Sequence, residues 1–357
     1  MNKSNYQAAV IGLGSIAPVH IKALDDLGIQ ITAICDSKQD VAAALAKDRG
    51  CAYYTDYEKM LDAGGFDVLH NCLPHYLHAP VTIAALDRGI HVVCEKPMAT
   101  TVADAKKMIA AAKASGAKLE IIFQNRYNTS VQAIKSALDS GTLGRVLGGF
   151  LQVTWHRSEA YYSNNDWRGR WDTEGGGVLI NQSIHTFDLM NYLLGDPTAV
   201  HASVANRAHP GIEVEDVAEG VIAYGDVNVS FYATNNYPYN APVSLGVVCE
   251  NGQAALSGDI ATITYKDGKQ EVSQADDSIA MPYRKDYWGY SHIKQIQGFY
   301  DWLKGTPSSD ALVGKDVSVD GTPDNTLRVC GEEGLRTQKL INGIYDSAKL
   351  GHRVALG

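Results

Sequence analysis

The chain runs to 357 residues, longer than a usual single domain and suited to two. Hydrophobic residues at 45% and charged residues at 20% are the proportions of a folded globular protein rather than a disordered one. A formal net charge of -9 without any run of Lys and Arg argues against nucleic acid as a partner, and the lack of an apolar stretch of roughly 18 residues argues against a membrane span.

The N-terminal MNKSNYQAAVIGLG passes from a short apolar strand straight into a glycine turn and has no leader-like apolar core, so a cytoplasmic location is expected. The spacing predicts strands over 8–11, 31–35, 68–72, around Val92 and Val93, and over 119–123. Helices are predicted over 17–27, 41–48, 79–88 and 102–114. That alternation is the signature of a parallel sheet covered on both faces. The pattern then changes. Residues 146–155 alternate like a half-exposed strand, and short strand candidates separated by turn signals follow between 198 and 274. This predicts a largely antiparallel sheet in a second domain, with helices over 292–303 and 326–349 that pack back on either domain. We place the boundary so that 1–125 form the first domain and 126–357 the second. The six cysteines are scattered without paired CxxC spacing; they are read as reduced thiols, and no metal site is expected.

The first strand leads into AAVIGLGSIA, where Gly12, Gly14 and Ala17 form a G-x-G-x-x-A pattern opening a predicted helix. Such a turn lets a pyrophosphate approach the backbone, with Ser15 and Ile16 on the same turn and the helix N-terminus supplying unpaired N–H groups. Asp36 ends the next strand, 22 residues after Gly14, where an acid accepts from adenosine ribose hydroxyls and repels a 2'-phosphate. The cofactor is therefore read as NAD, with NADP kept open because Ser37 and Lys38 are able to contact a phosphate.

At VVCEKPMATT the chain resembles the family of glucose-fructose oxidoreductase and inositol dehydrogenase through its Glu95-Lys96-Pro97 motif. NCLPHYLHAPVTIAALDRGIHVVCEKP and GGGVLINQSIHTFDLMNYLLG extend the resemblance over nearly the whole chain, and YYSNNDWRGRWDTEGGG resembles members acting on sugars. The resemblance implies an N-terminal Rossmann domain and a C-terminal α/β domain with an open mixed sheet. It further implies substrate between that sheet and the nicotinamide, and a homodimer or homotetramer formed through the open sheet face. It carries Lys96 and His185 over as catalytic residues, whereas the family's usual aspartate is replaced by Asn181. Either Asn181 positions substrate or nicotinamide while Lys96 and His185 divide the proton work, or another acid serves. The function implied is an NAD-dependent dehydrogenase acting on a secondary hydroxyl or anomeric carbon of a sugar or cyclitol. The alternatives are a redox-neutral glycosidase or epimerase, an NADP-dependent carbonyl reductase, and a non-catalytic regulator.

The remaining candidates follow the predicted strand ends. Cys72, Pro74, His75, His78, Glu95 and Asn125 are expected on the cofactor side, His78 with a helix cap as its other reading. Arg126 is expected either at substrate or in an interdomain salt bridge. His156, Tyr161, Trp167, Arg168 and His292 complete the expected substrate side, since aromatic faces beside polar donors suit a carbohydrate. Asp188, one helical turn from His185, either faces it or pairs elsewhere.

Overall fold

The computed structural model describes residues 6–274, 291–305 and 327–357. Its first third alternates β1 (Gln7–Ile11), α1 (Ala17–Asp26), β2 (Gln30–Cys35), α2 (Gln39–Arg49), β3 (Ala52–Tyr54), α3 (Tyr57–Ala63), β4 (Val68–Asn71), α4 (His75–Asp87), β5 (His91–Cys94), α5 (Val102–Ser115) and β6 (Leu119–Ile121). The six strands pair in the order β3-β2-β1-β4-β5-β6, all parallel. Their order reverses between β1 and β4, which opens a crevice beyond the strand ends where such sheets bind ligands. The periodicity missed β3 and α3, both very short. Pro80 made 79 look like a helix start, but α4 begins at His75; the proline only removes the intrahelical donor to the carbonyl of Tyr76, which is exposed.

A 3-10 turn (Gln124–Tyr127) and α6 (Thr129–Asp139), neither of them predicted, lead into the second domain. It contains β7 (Val146–Thr154), α7 (Glu159–Ser163), α8 (Ile184–Leu194), β8 (Ala199–Ala205), β9 (Val217–Tyr224), β10 (Val227–Thr234), β11 (Ser244–Cys249), β12 (Gly252–Ser257), β13 (Ile260–Tyr265) and β14 (Gln270–Gln274). After these come α9 (His292–Leu303), α10 (Gly331–Leu350) and β15 (Val354–Ala355). The nine strands order as β14-β13-β12-β11-β7-β10-β9-β8-β15, antiparallel except for the parallel β7–β10 pair. The expected mixed, mostly antiparallel sheet is thus present. Thr326, at the predicted start of the last helix, lies outside the described residues. All six cysteines are free, and no helix among the described residues is long and apolar enough to cross a membrane.

The last two helices join the domains. From α9, Phe299 and Tyr300 enter the same apolar cluster as Ala8 and Val10 of β1 and Leu24 of α1. Helix α10 approaches β6 closely because Gly334 faces Ile121, where an added Cβ would lie 2.7 Å from the side chain. At this junction sits Arg126, 0% exposed. Its Nε and Nη2 donate to Asp188 Oδ2 and Oδ1, both at 2.8 Å, and Nη1 donates to Glu333 Oε2 at 2.7 Å. One guanidinium thereby ties the 3-10 turn to α8 and α10. Burial alone would lower Arg126, but Asp188 and Glu333 hold it well above its ordinary range, so the group stays charged. Of the two readings of Arg126, substrate or salt bridge, the structure forms the salt bridge: every one of these donors is directed into the ion pair. Arg126→Met leaves the buried Asp188 carboxylate without its cation, while Glu333 keeps Arg336, and should cost about 3–5 kcal/mol in urea unfolding; a loss under about 1 kcal/mol would contradict this account of the junction.

Candidate active site

A cleft of about 840 Å³ runs from the β1–α1 turn across to the second domain, a size in the range of small-molecule sites. At one end Gly12 adopts φ +80, and a Cβ there would lie 2.7 Å from the Cys72 carbonyl oxygen, so only glycine permits this turn. Helix α1 starts without a side-chain cap at Ile16; Pro18 has no N–H and Val19 N–H donates to the Ile16 carbonyl at 3.0 Å, so the amides left to an anion are those of the turn up to Ala17. Asp36 accepts from Leu13 N–H at 2.8 Å and Lys38 N–H at 2.9 Å, fixing the carboxylate at the mouth of the turn. Gly12, Gly14, Ser15, Ile16, Asp36, Ser37, Lys38, Cys72, Pro74, His75, His78, Glu95 and Lys96 all line the cleft. Ala17 instead packs behind the turn at 1% exposure. Asn125 also lies behind the lining, with both amide atoms buried and unpartnered among the described residues. His78 is braced between the carbonyls of Pro97 and Leu73, both at 2.7 Å.

Lys96 leaves the end of β5 and reaches the second domain. Its Nζ donates to the Asn181 carbonyl at 2.9 Å and to Asn181 Oδ1 at 3.2 Å. The segment carrying Asn181 is held from behind by Glu215, which accepts from Gly177 N–H at 2.9 Å and Leu179 N–H at 3.0 Å. Gly177 packs directly on the Glu215 carbonyl, where no side chain fits. His185, on the first turn of α8, stands edge-on to Phe123 with ring centroids 5.7 Å apart. Its Nδ1 is buried without a partner among the described residues. Burial, reinforced by the charge of Lys96, holds the imidazole well below its usual range, so it is neutral and able to accept a proton. Asp188 does not face it, being committed to Arg126.

Glu95, the first residue of the motif, sits under Lys96 in a chain of buried groups. His20 Nε2 lies 3.0 Å from Glu95 Oε1, His20 Nδ1 lies 2.9 Å from His70 Nδ1, and His70 Nε2 lies 3.0 Å from the Tyr300 hydroxyl. His292 Nε2 approaches the same Glu95 oxygen at 3.4 Å. Burial pushes Glu95 up, but His20 and His292 outweigh it and hold the carboxyl well below its usual range. His20, Glu95 and His292 are grouped closely enough for metal ligands, yet hydrogen bonding within the chain already accounts for their spacing.

The substrate-side wall is aromatic and cationic. Arg168 lies over Tyr161 at 4.1 Å and Trp167 at 5.1 Å, and Trp167 meets His75 at 4.7 Å across the domain boundary. Tyr161, Trp167, Arg168, Asn181, His185 and His292 line the cleft as expected. His156 does not: its exposed ring turns away, with Nδ1 3.1 Å from the Tyr237 carbonyl. The continuation of β7 explains the correction, because Trp155 and Arg157 line the cleft and the residue between them points to the other side. Sequence reasoning missed Arg157, Gln182 and Glu174; strand alternation was a usable signal for the first, and adjacency to Asn181 for the second.

Residues 6–123 match the family model described as "Oxidoreductase family, NAD-binding Rossmann fold", and residues 131–255 match the "GFO/IDH/MocA C-terminal domain". The chain is 26% identical to a D-glucoside 3-dehydrogenase of Escherichia coli, over 100% of this chain and 99% of that one. It is 30% identical to an inositol 2-dehydrogenase of Streptomyces avermitilis, over 74% and 77%. It superposes with a TM-score of 0.81 on the WlbA dehydrogenase from Bordetella pertussis, solved with NADH and UDP-GlcNAcA, at 28% identity over 99% of each chain. The neutral state of His185 is open to direct measurement. In ¹⁵N-labelled protein its imidazole should titrate below the ordinary 6.5; a midpoint at or above that value would show that burial and Lys96 do not govern it.

Proposed function

The chain belongs to the GFO/IDH/MocA oxidoreductases, and from that premise we propose that it is an NAD-dependent dehydrogenase oxidising a secondary hydroxyl or anomeric carbon of a sugar or cyclitol. The observation that carries this reading is the meeting of Lys96 from the first domain with Asn181 and His185 from the second, in a cleft continuous with the Gly12–Ile16 turn. The turn fits a dinucleotide: a glycine that excludes a side chain, a helix N-terminus with no side-chain cap and a carboxylate at the ribose position. Bound there, NAD supplies the hydride acceptor.

In this reading Gly12, Gly14, Ser15 and Ile16 hold the pyrophosphate and Asp36 the adenosine ribose. Cys72, Pro74, His75 and Glu95 border the nicotinamide side, whereas Asn125, behind the lining, does not reach it. Tyr161, Trp167, Arg168 and His292 orient the sugar. Lys96 donates a hydrogen bond to the reacting oxygen and offsets its developing negative charge. His185, neutral before reaction, takes the hydroxyl proton. Asn181 positions Lys96. The two similar dehydrogenases named for glucosides and inositol, and the WlbA enzyme solved with a nucleotide sugar, support a polyhydroxylated substrate. We assign residues 1–125 to cofactor binding and 126–357 to substrate binding, with α9 and α10 packed back on the first domain, and we place the enzyme in the cytoplasm.

Absorbance at 340 nm with NAD and NADP, against hexoses, pentoses, inositols, glycosides and nucleotide sugars, tests this directly. NADH is expected to accumulate with one substrate group. Reduction of NADP alone would overturn the reading of Asp36, and tight NAD binding without turnover across the panel would overturn the dehydrogenase reading.

The second sheet supports a homo-oligomer. Its outer face presents Phe150, Val221, Tyr232 and Val248, each 37–42% exposed. Phe150, Ser230 and Val221 are register neighbours on adjacent strands, so the patch is continuous. Light scattering should give a mass two or four times that of the chain, and Phe150→Glu with Val221→Glu should lower it to one chain with the circular dichroism retained. A monomeric parent protein at micromolar concentration would sink this part.

A further inference from the structure

Glu174 has no role in the scheme above, yet it is 0% exposed beside the reacting groups. Its Oε1 accepts from Asn181 Nδ2 at 2.6 Å, and its Oε2 accepts from Gly169 N–H at 2.5 Å. The chemistry of the neighbours dictates this arrangement. Lys96 Nζ only donates, so Asn181 must turn Oδ1 toward it, which sends Nδ2 in the opposite direction. Buried there, Nδ2 requires an acceptor, and the carboxylate supplies one while its second oxygen serves the Gly169 amide. The Tyr161 hydroxyl, 3.3 Å from the same Nδ2, is a weaker partner that also accepts from Gln182. The backbone of Glu174 is committed as well: its carbonyl lies 2.8 Å from His75 Nδ1, on the cofactor side of the cleft.

We propose that Glu174 is the positioning residue for Lys96, acting through Asn181: it fixes the asparagine's orientation and places a negative charge one side chain behind the ammonium. The proposal rests on the dehydrogenase reading only for its effect on turnover. The chain departs from its family's usual aspartate at position 181, and in this structure the charge stands at 174 instead, with the amide as relay. Among the described residues, Lys96, Arg168, Tyr161, Tyr162 and Tyr345 are the charged and titratable groups around it, with His75 at its carbonyl. Burial drives its carboxyl up to about 7, while the Gly169 amide, Asn181, Arg168 and Lys96 oppose that rise.

The arrangement allows a swap. In the double variant Glu174→Gln/Asn181→Asp the carboxylate and the amide exchange places. The carboxylate, now at position 181, accepts from Lys96. The amide, now at position 174, donates to that carboxylate through its nitrogen and accepts from Gly169 N–H through its oxygen. Every donor keeps an acceptor. We expect Glu174→Gln alone to lower kcat by about 10- to 100-fold, as loss of a partner one contact removed from a reactive group does, with KM for the sugar little changed. The double variant should recover most of that loss. A second readout does not need turnover: acylation of Lys96 across a pH series, followed by peptide mass spectrometry on the apoenzyme. Removing the negative charge in Glu174→Gln should move the Lys96 midpoint to lower pH by about half a unit or more, and the double variant should move it back. An unchanged midpoint in Glu174→Gln, or a double variant no more active than that single one, overturns the proposal. If the parent protein oxidises no sugar, the dehydrogenase reading fails while the acylation arm still decides the role of Glu174.

Discussion

The site exists only because two domains meet in one registration, and a buried guanidinium fixes the turn by which the first sheet leads into the second domain. Arg126 leaves the end of the first sheet and meets Asp188 of α8 and Glu333 of α10 with three hydrogen bonds of 2.7–2.8 Å. Asp188 follows His185 by three residues on the same helix, so the bidentate pair sets the rotation of the helix that presents the imidazole. Stripping water from three charged groups is costly, and the gain comes only when every partner is in place. Such a junction favours one arrangement sharply over near alternatives, as a site built from two domains requires.

Within that frame the electrostatics divide the labour between neighbouring groups. His185 is surrounded by apolar packing and the positive charge of Lys96, which keep it uncharged. Lys96 leans on oxygen atoms of Asn181, and the only carboxylate bonded to that asparagine among the described residues is Glu174. Glu95 lies under Lys96 but directs its oxygen to His20 and His292. The two carboxylates thus reach the lysine by different routes, one through the backbone of its own motif and one through an amide. Because each polar group here has a defined donor or acceptor, exchanging one atom type forces its neighbours to reorient.

The local features were legible in the sequence because they are local in their physics. Alternating strands and helices, a glycine turn that admits a phosphate and an acid 22 residues later are dictated by neighbours in the chain. Phe150, Trp155 and Arg157 were likewise accessible to period-two reasoning, although His156 was placed on the wrong side by reading residue type before parity. What escaped depends on distant partners. Arg126 meets a residue 62 positions away and another 207 positions away, and nothing in its surroundings in the chain distinguishes a structural guanidinium from a substrate-binding one. Glu174 carries no motif of its own; its meaning comes from where the triple-glycine segment folds over Glu215 and returns Asn181 to within 2.6 Å of it.

The same parity links the cleft to the outer sheet face. On β7 and its extension, Leu151, Val153 and Trp155 are buried toward the domain interior, and Trp155 reaches the cleft. Phe150 and Gln152 point outward, with the Phe150 ring lying across Gly246, where any side chain would have to displace it. A single strand therefore carries a substrate wall on one side and an apolar patch on the other. Covering that patch would leave β7 buried on both faces, and a strand packed on both sides holds its side chains more rigidly than one facing water. Trp155 and Arg157 are themselves tied to the neighbouring segment, Trp155 Nε1 donating to the Ala241 carbonyl at 3.1 Å and Arg157 to the Asn235 carbonyl through its N–H and to Asn240 Oδ1 through Nη1, so rigidity gained by β7 passes to them. Assembly through the outer face would thus stiffen the substrate side of the cleft without contributing any residue to it.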